Sequence, residues 1–195
     1  MNRSVLAVLL LALSAAPSYA HLDPLAHGSL AAGLTHPLSG LDHVLAMTTV
    51  GLWAALLGGR AVWLVPGAFV VTMTVGYGAA LAGLPLLFVE PTILASVVVL
   101  GLLVAIAAPV PVSTGMAVVA AFALFHGYAH GGEIGTAGAG SYGLGFATAT
   151  ALLHAAGAAM ALGLLRLLGD VHGRLASRVA GGLAVASGVA LAISA

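Results

Sequence analysis

The sequence predicts an all-α fold, a polytopic membrane helix bundle of about six transmembrane helices that follows a cleavable signal peptide. The first observation is composition: of 195 residues, 62% are apolar and only 5% are charged, whereas a soluble domain carries about 25% charged residues. The second is length, since the apolar residues form runs of about 20, enough for a helix to cross the ~30 Å hydrocarbon core. The third is that glycine and proline residues separate these runs.

Missing residue types exclude several classes of function. Lysine is absent, which excludes a phosphate loop of the GK[ST] type and the nucleotide binding that such a loop supports. Cysteine is absent as well, so disulfides, zinc–thiolate sites, iron–sulfur clusters and cysteine nucleophiles are excluded. Because the net charge is zero with neutral histidines, the chain has no basic face for nucleic acid. The expected partner of most of the surface is therefore the lipid bilayer.

Residues 1–20 have the layout of a secretory signal peptide. Arg3 supplies the positive charge, residues 5–13 form the apolar run, and SYA at 18–20 is a small-x-small cleavage site. The alternative is a first transmembrane helix that stays attached, but the apolar run is short for a span. Cleavage leaves a mature chain that begins at His21, whose amine and imidazole can together bind one metal ion; the alternative is that His21 starts a loose tail.

The mature chain, 21–195, is predicted to form one transmembrane domain. Glycine and proline joints divide it into six apolar spans, which are 39–58, 61–83, 91–108, 112–132, 142–166 and 174–194. A glycine-rich stretch, 131–145, is predicted to join the fourth span to the fifth. Glu90 directly precedes the third span and is interpreted as a helix-start carboxylate, which the helix dipole favours. Small residues at every fourth position predict close packing of the last two spans; they are Ala155, Ala159, Gly163, Ala180, Ala184, Gly188 and Ala192.

Arginine positions determine the predicted orientation. Four arginines remain after cleavage, namely Arg60, Arg166, Arg174 and Arg178. When the mature amino terminus is outside, all four lie beside loops that face the cytoplasm, in agreement with the positive-inside rule. The sequence therefore predicts a multi-pass protein of the bacterial inner membrane with its mature N-terminus outside.

Histidine is the abundant ionisable residue of this chain, with eight copies, and an ionisable side chain at membrane depth indicates a functional site. A first cluster contains His36, Asp42 and His43, with Met47 one turn after His43 on the same helix face. At a helix N-terminus the dipole keeps His43 neutral, with a lone pair for a metal. Met47 is interpreted either as a packing residue or as a soft thioether ligand. An alternative role for Asp42 is a capping box with Ser39.

A second cluster contains His126, His130 and Glu133, within the segment FHGYAHGGE. This spacing places all three on one helix face, and two histidines four residues apart are a common way to bind a divalent ion; structural histidines that only form hydrogen bonds are the alternative. His154, in the fifth span, is either a donor to a neighbouring carbonyl or a deeper metal position. His27 is a further candidate ligand. Imidazole and carboxylate without thiolate suit Ni²⁺, Co²⁺, Cu²⁺ or Zn²⁺.

Four segments resemble the HupE/UreJ family of nickel permeases: HPLSGLDHVLAM, VGLWAALLGG, FHGYAHGGE and ATALLHAAG. The resemblance covers the mature chain, and the patterns HPxxGxDH and FHGxAHGxE are specific because they place several residues that are rare in membranes at fixed spacing. It implies uptake of Ni²⁺, or of Co²⁺ in some members, as the transported substrate, with no prosthetic group. The metal-binding positions that it implies are His36, Asp42, His43, His126, His130 and Glu133.

The leading hypothesis is a secondary transporter or facilitator, not an enzyme, that imports a divalent metal ion through a His/Asp/Glu site near the periplasmic side. The alternative is a metal-dependent intramembrane hydrolase, in which bound Zn²⁺ activates water and Glu133 or Asp42 acts as general base. A third hypothesis is a metal sensor or donor subunit that binds the ion without transporting it. The sequence does not choose between Ni²⁺ and Co²⁺ and is compatible with a homo-oligomer.

Overall fold

A computed structural model describes residues 28–134 and 138–194 of the chain. Within these two ranges all regular secondary structure is helical, which confirms the all-α prediction. The helices are α1 (Leu30–Ser39), α2 (Leu41–Leu57), α3 (Ala61–Leu81), α4 (Val89–Ala105), α5 (Val112–Ile134) and α6 (Ala139–Ser194). The predicted signal peptide, His21 and His27 lie outside the described residues.

Several helices have the length and composition of membrane spans. Helices α3, α5 and α6 are each long and apolar enough to cross a bilayer, and α1 with α2 passes the same test as a pair that is bent by 88°. Helix α4 is a shorter apolar helix of 17 residues. The chain is therefore a multi-pass membrane protein.

Helix α6 folds back on itself at Gly169. Its 56 residues would extend about 84 Å if straight, nearly three times the hydrocarbon thickness. Gly169 interrupts the helix with φ 74° and ψ 169°, a conformation that glycine adopts at little cost. After this break, a Cβ on Gly173 would lie only 2.6 Å from Cα of Leu165, although eight residues of straight helix cover about 12 Å. Helix α6 thus consists of a first arm, 139–168, and a second arm, 170–194, at the positions of the predicted fifth and sixth spans.

Two predicted joints differ from the structure. Most of the glycine-rich stretch 131–145 is helical, because α5 continues through Ile134 and α6 begins at Ala139. Its glycines permit close contact between helices instead: a Cβ on Gly131 would lie 2.5 Å from the carbonyl oxygen of Tyr77. Helix α4, the predicted third span, ends at Ala105 rather than at 108.

The start of α2 corrects the predicted capping box. Gly40 is the N-cap, with φ −100° and ψ 120°, and no side chain caps the helix. Ser39 is instead the last residue of α1, which also contains Pro37, and its hydroxyl donates to the carbonyl of His36 at 2.6 Å. An N-cap needs an extended backbone, which Gly40 has and the helical Ser39 lacks. Asp42 lies in the first turn of α2, as predicted.

Small residues bring the helices close together, though not at all the predicted positions. In the second arm, Ala184 and Gly188 are buried, as expected, whereas in the first arm Ala155 and Ala159 are exposed. One buried small residue there is Gly157, whose Cβ position would overlap the backbone of α2. The spacing of four was correct, but the face that packs lies about half a turn away from the predicted one.

The two ends of the bundle differ in chemistry. At one end, Arg178 donates through Nε to the carbonyl of Ala105 at the end of α4, at 2.7 Å, which satisfies a terminal carbonyl. Arg174 lines a cavity there with Leu57 at the end of α2. The opposite end holds the start of α2, the start of α4 and the end of α5. The histidine clusters therefore lie at the end away from these arginines.

Candidate functional site

A chain of three side chains connects the start of α2 to the end of α5. Oδ2 of Asp42 lies 3.0 Å from Nδ1 of His43, and Nε2 of His43 lies 2.6 Å from Nε2 of His130. With Asp42 ionised and both imidazoles neutral, the carboxylate accepts from Nδ1–H of His43, and Nε2 of His43 accepts from Nε2–H of His130. His43 is 8% exposed and His130 is 3% exposed. The two imidazoles are thus shielded from water, while Asp42 remains partly exposed.

A third imidazole comes from α1. The ring centroid of His36 lies 4.6 Å from that of His130 in an edge-on arrangement and 5.9 Å from that of Tyr142. Phe146 packs against His130 from the first arm of α6, with centroids 4.4 Å apart. The bend between α1 and α2 allows two neighbouring helices to supply histidines to one place. Three different helices therefore contribute one imidazole each.

These side chains line a cavity of about 260 Å³ whose wall also includes Glu90. Glu90 lies in the first turn of α4, which confirms the helix-start interpretation. That it joins the histidines was not predicted. The cavity thus has three imidazoles and two carboxylates in its wall. Glu90 was missed because it is more than 35 residues from either cluster and has no periodic relation to them.

Behind the cavity wall lies His126, one turn before His130 on the buried face of α5. Its ring centroid is 5.0 Å from that of His43, edge to face, and its side chain is fully buried. Nε2 of His126 lies 2.9 Å from the hydroxyl of Ser96 in α4. The spacing of four residues correctly predicted that His126 and His130 share one buried face.

His154 lies deeper still, on the first arm of α6, and is 1% exposed. Neither of its ring nitrogens has a hydrogen-bond partner among the described residues, so the predicted alternative of a donor to a neighbouring carbonyl is wrong. The ring of Phe69, fully buried on α3, lies 5.0 Å from that of His154 and 5.7 Å from that of His126. Phe69 therefore contacts the two inner histidines.

Two further residues were predicted as ligands. One packs in the core, and the side chain of the other is not described. Met47 is fully buried in the apolar core, in keeping with the packing interpretation. Glu133 lies in the last turn of α5, and its side chain is outside the part that the structure describes.

The side chains of the cluster are not yet in a metal-coordinating arrangement. Among the described side chains, no three His, Asp or Glu groups are arranged to hold a metal ion as they stand. Two imidazole nitrogens on one metal ion lie about 3 Å apart. The nitrogens of His43 and His130, at 2.6 Å, would have to separate slightly to bind one ion together.

Comparison with known proteins determines the family. The family model described as "HupE / UreJ protein" matches residues 8–191. The chain belongs to the HupE/UreJ family. A similar protein is the "Protein HupE" of Rhizobium leguminosarum bv. viciae, which is 46% identical over 186 residues, covering 94% of this chain and 95% of that protein. No solved structure matches the chain.

Family membership confirms the resemblance seen in the four sequence segments. HupE/UreJ proteins are associated with nickel and cobalt transport and are permeases rather than enzymes. The hydrolase alternative is therefore not supported. Together with the apolar helices, this identifies a multi-pass membrane protein of a metal-transport family.

Proposed function

We propose that this chain imports a divalent transition metal, Ni²⁺ first and Co²⁺ second, from the exported side of the bacterial inner membrane into the cytoplasm. The observation that carries the proposal is the meeting of imidazoles from α1, α2 and α5 at one cavity. Neutral imidazole suits both ions. Since arginines favour the cytoplasmic side of a membrane, the opposite end, where the cavity lies, is assigned to the exported side.

At the entrance, His36, His43 and His130 are the proposed ligands. Glu90 in the cavity wall and Glu133 in the last turn of α5 supply negative charge for a doubly charged ion. Asp42 is assigned a positioning role. Its carboxylate accepts a hydrogen bond from Nδ1 of His43 and so directs Nε2 toward the metal, as carboxylates behind metal-binding histidines commonly do.

The proposed path leads inward from the entrance to His126 and then to His154. His126 is supported by its contact with His43 and its burial, and His154 by the absence of any described hydrogen-bond partner for its ring nitrogens. Phe69 contacts both rings and keeps the two positions apart in this conformation. Rotation of the Phe69 side chain would connect them.

The membrane potential is a sufficient driving force. A doubly charged ion that enters a cell with an inside-negative potential gains about 4.6 kcal/mol per 100 mV. At about 1.4 kcal/mol per tenfold, this corresponds to roughly three decades of accumulation. Facilitated entry therefore needs no nucleotide, in keeping with a chain that has no GK[ST] loop.

Uptake of radioactive Ni²⁺ into liposomes that contain the purified protein tests the proposal, with an inside-negative potential imposed. We expect His43→Ala and His130→Ala to lose most of the uptake. His172→Ala is the matched control, because His172 is exposed on the second arm of α6 and should retain full uptake. All variants are first compared by their thermal unfolding in detergent.

Competition and binding measurements separate the proposed function from its rivals. Unlabelled Co²⁺ should compete with Ni²⁺ more strongly than Mn²⁺ does. Stoichiometric Ni²⁺ binding with no accumulation in liposomes would instead indicate a sensor or donor subunit. Full uptake by both histidine variants would overturn the assignment of the entrance.

A further inference from the structure

A buried serine on α4 lies within hydrogen-bond distance of a buried histidine on α5. Ser96 is fully buried. Its hydroxyl oxygen lies 2.6 Å from the carbonyl oxygen of Ile93 and 2.9 Å from Nε2 of His126. Both distances are those of good hydrogen bonds, and the serine hydroxyl has only one proton to share between them.

The positions of the protons follow from the chemistry of the two neighbours. A carbonyl oxygen can only accept, and two oxygens 2.6 Å apart without a proton between them would repel each other. The hydroxyl proton of Ser96 therefore points to Ile93, and the hydroxyl oxygen accepts from Nε2–H of His126. In a neutral imidazole the other nitrogen, Nδ1, is then an acceptor with a free lone pair. Nδ1 of His126 has no hydrogen-bond partner among the described residues.

We propose that Ser96 is a positioning residue that holds His126 in the Nε2–H tautomer and so reserves Nδ1 for the passing cation. The proposal rests on the proposed transport function for its purpose, though not for its geometry. A donor–acceptor contact on one ring nitrogen commonly fixes the nitrogen that faces a metal. A buried lone pair with no partner is costly, and binding a cation, even briefly, removes that cost. An ordinary serine in an apolar span thereby becomes part of the transport path.

The test compares the full-length protein with Ser96→Ala in lipid bilayers, using ¹⁵N-histidine labelling and solid-state NMR without metal. Protonated and bare ring nitrogens have distinct ¹⁵N shifts. We expect wild-type His126 to be protonated at Nε2 only and the variant to show a mixture of tautomers. Ser177→Ala is the matched control, because Ser177 is equally buried but donates to the carbonyl of Gly173; it should leave His126 unchanged.

Ni²⁺ binding to the same samples gives the functional readout. Loss of the partner behind a metal-binding histidine typically weakens metal affinity about 10- to 100-fold, and we expect a loss of this size for Ser96→Ala. Ser177→Ala should leave the Ni²⁺ affinity unchanged. Ser96→Thr, which keeps the hydroxyl, should restore it. Wild-type His126 protonated at Nδ1, or an unchanged tautomer in Ser96→Ala, would overturn the proposal. A correct tautomer in a wild-type protein that transports no Ni²⁺ would overturn the proposed function and leave the Ser96–His126 assignment standing.

Discussion

The contact between Asp42 and His43 makes a graded prediction for two substitutions. Asp42→Ala removes the acceptor 3.0 Å from Nδ1 of His43, and a hydrogen bond to a charged group contributes about 1.5–3 kcal/mol. At about 1.4 kcal/mol per tenfold, the Ni²⁺ concentration for half-maximal uptake should rise about 10- to 100-fold. Asp42→Asn keeps a neutral acceptor, and a neutral hydrogen bond is about half as strong. The rise should then be only about 3- to 12-fold.

The assay is uptake of radioactive Ni²⁺ into liposomes over a wide range of metal concentration. Asp170→Asn is the control, because Asp170 is an exposed carboxylate at the break in α6 and its loss should change nothing. If Asp42→Asn and Asp42→Ala both abolish uptake even at saturating Ni²⁺, Asp42 is a direct ligand and the positioning role is refuted. If neither variant changes the curve, the contact has no part in binding.

Three further predictions concern packing and the inner path. Gly76→Ala should lower the midpoint of thermal unfolding in detergent, because its Cβ would overlap the carbonyl of Leu124 at an overpacking cost of about 1–3 kcal/mol. Gly78→Ala is the control and should leave the midpoint unchanged, because its Cβ would contact nothing within 4 Å. An equal fall in the midpoint for both variants would contradict this prediction. Tyr77→Phe removes a buried 2.8 Å hydrogen bond to the first residue of α6 and should reduce the free energy of unfolding by about 1 kcal/mol, measured by denaturant titration; an unchanged value would show that the bond contributes nothing. His154→Ala should slow Ni²⁺ uptake at saturating metal while calorimetry shows unchanged binding at the entrance, and an unaffected rate would remove His154 from the path.

The long apolar runs were sufficient to predict α3, α5 and the two arms of α6, because burial in lipid requires continuous apolar helices. Helix α1 was not predicted. Its sequence, LAAGLTHPLS, contains Gly33 and Pro37, which locally favour a break. In the structure Gly33 allows the backbone of α1 to contact that of α6 at Tyr142. The neighbouring residues in the sequence do not show whether a glycine permits close contact between helices or forms a turn.

The candidate site was predictable where its residues are close in sequence. Spacing of four placed His126 and His130 on one face, and the adjacency of Asp42 and His43 indicated a pair. Nothing local connected Ser96 to a histidine 30 residues away, because the relation arises only when α4 packs beside α5. The direct bond between His43 and His130 likewise depends on packing, so the sequence predicted one shared site but not the contacts within it.

The short bond between His43 and His130 has a consequence for discrimination among ions. On the proposed mechanism, both Nε2 lone pairs become available only after the proton of His130 moves from Nε2 to Nδ1 and the two rings separate. Mg²⁺ and Ca²⁺ prefer oxygen ligands, so binding to two imidazole nitrogens would not compensate for the loss of the hydrogen bond between the rings. Ni²⁺ and Co²⁺ bind imidazole strongly enough to compensate. Without such a metal, the two rings remain hydrogen-bonded to each other, and Mg²⁺ and Ca²⁺ do not separate them.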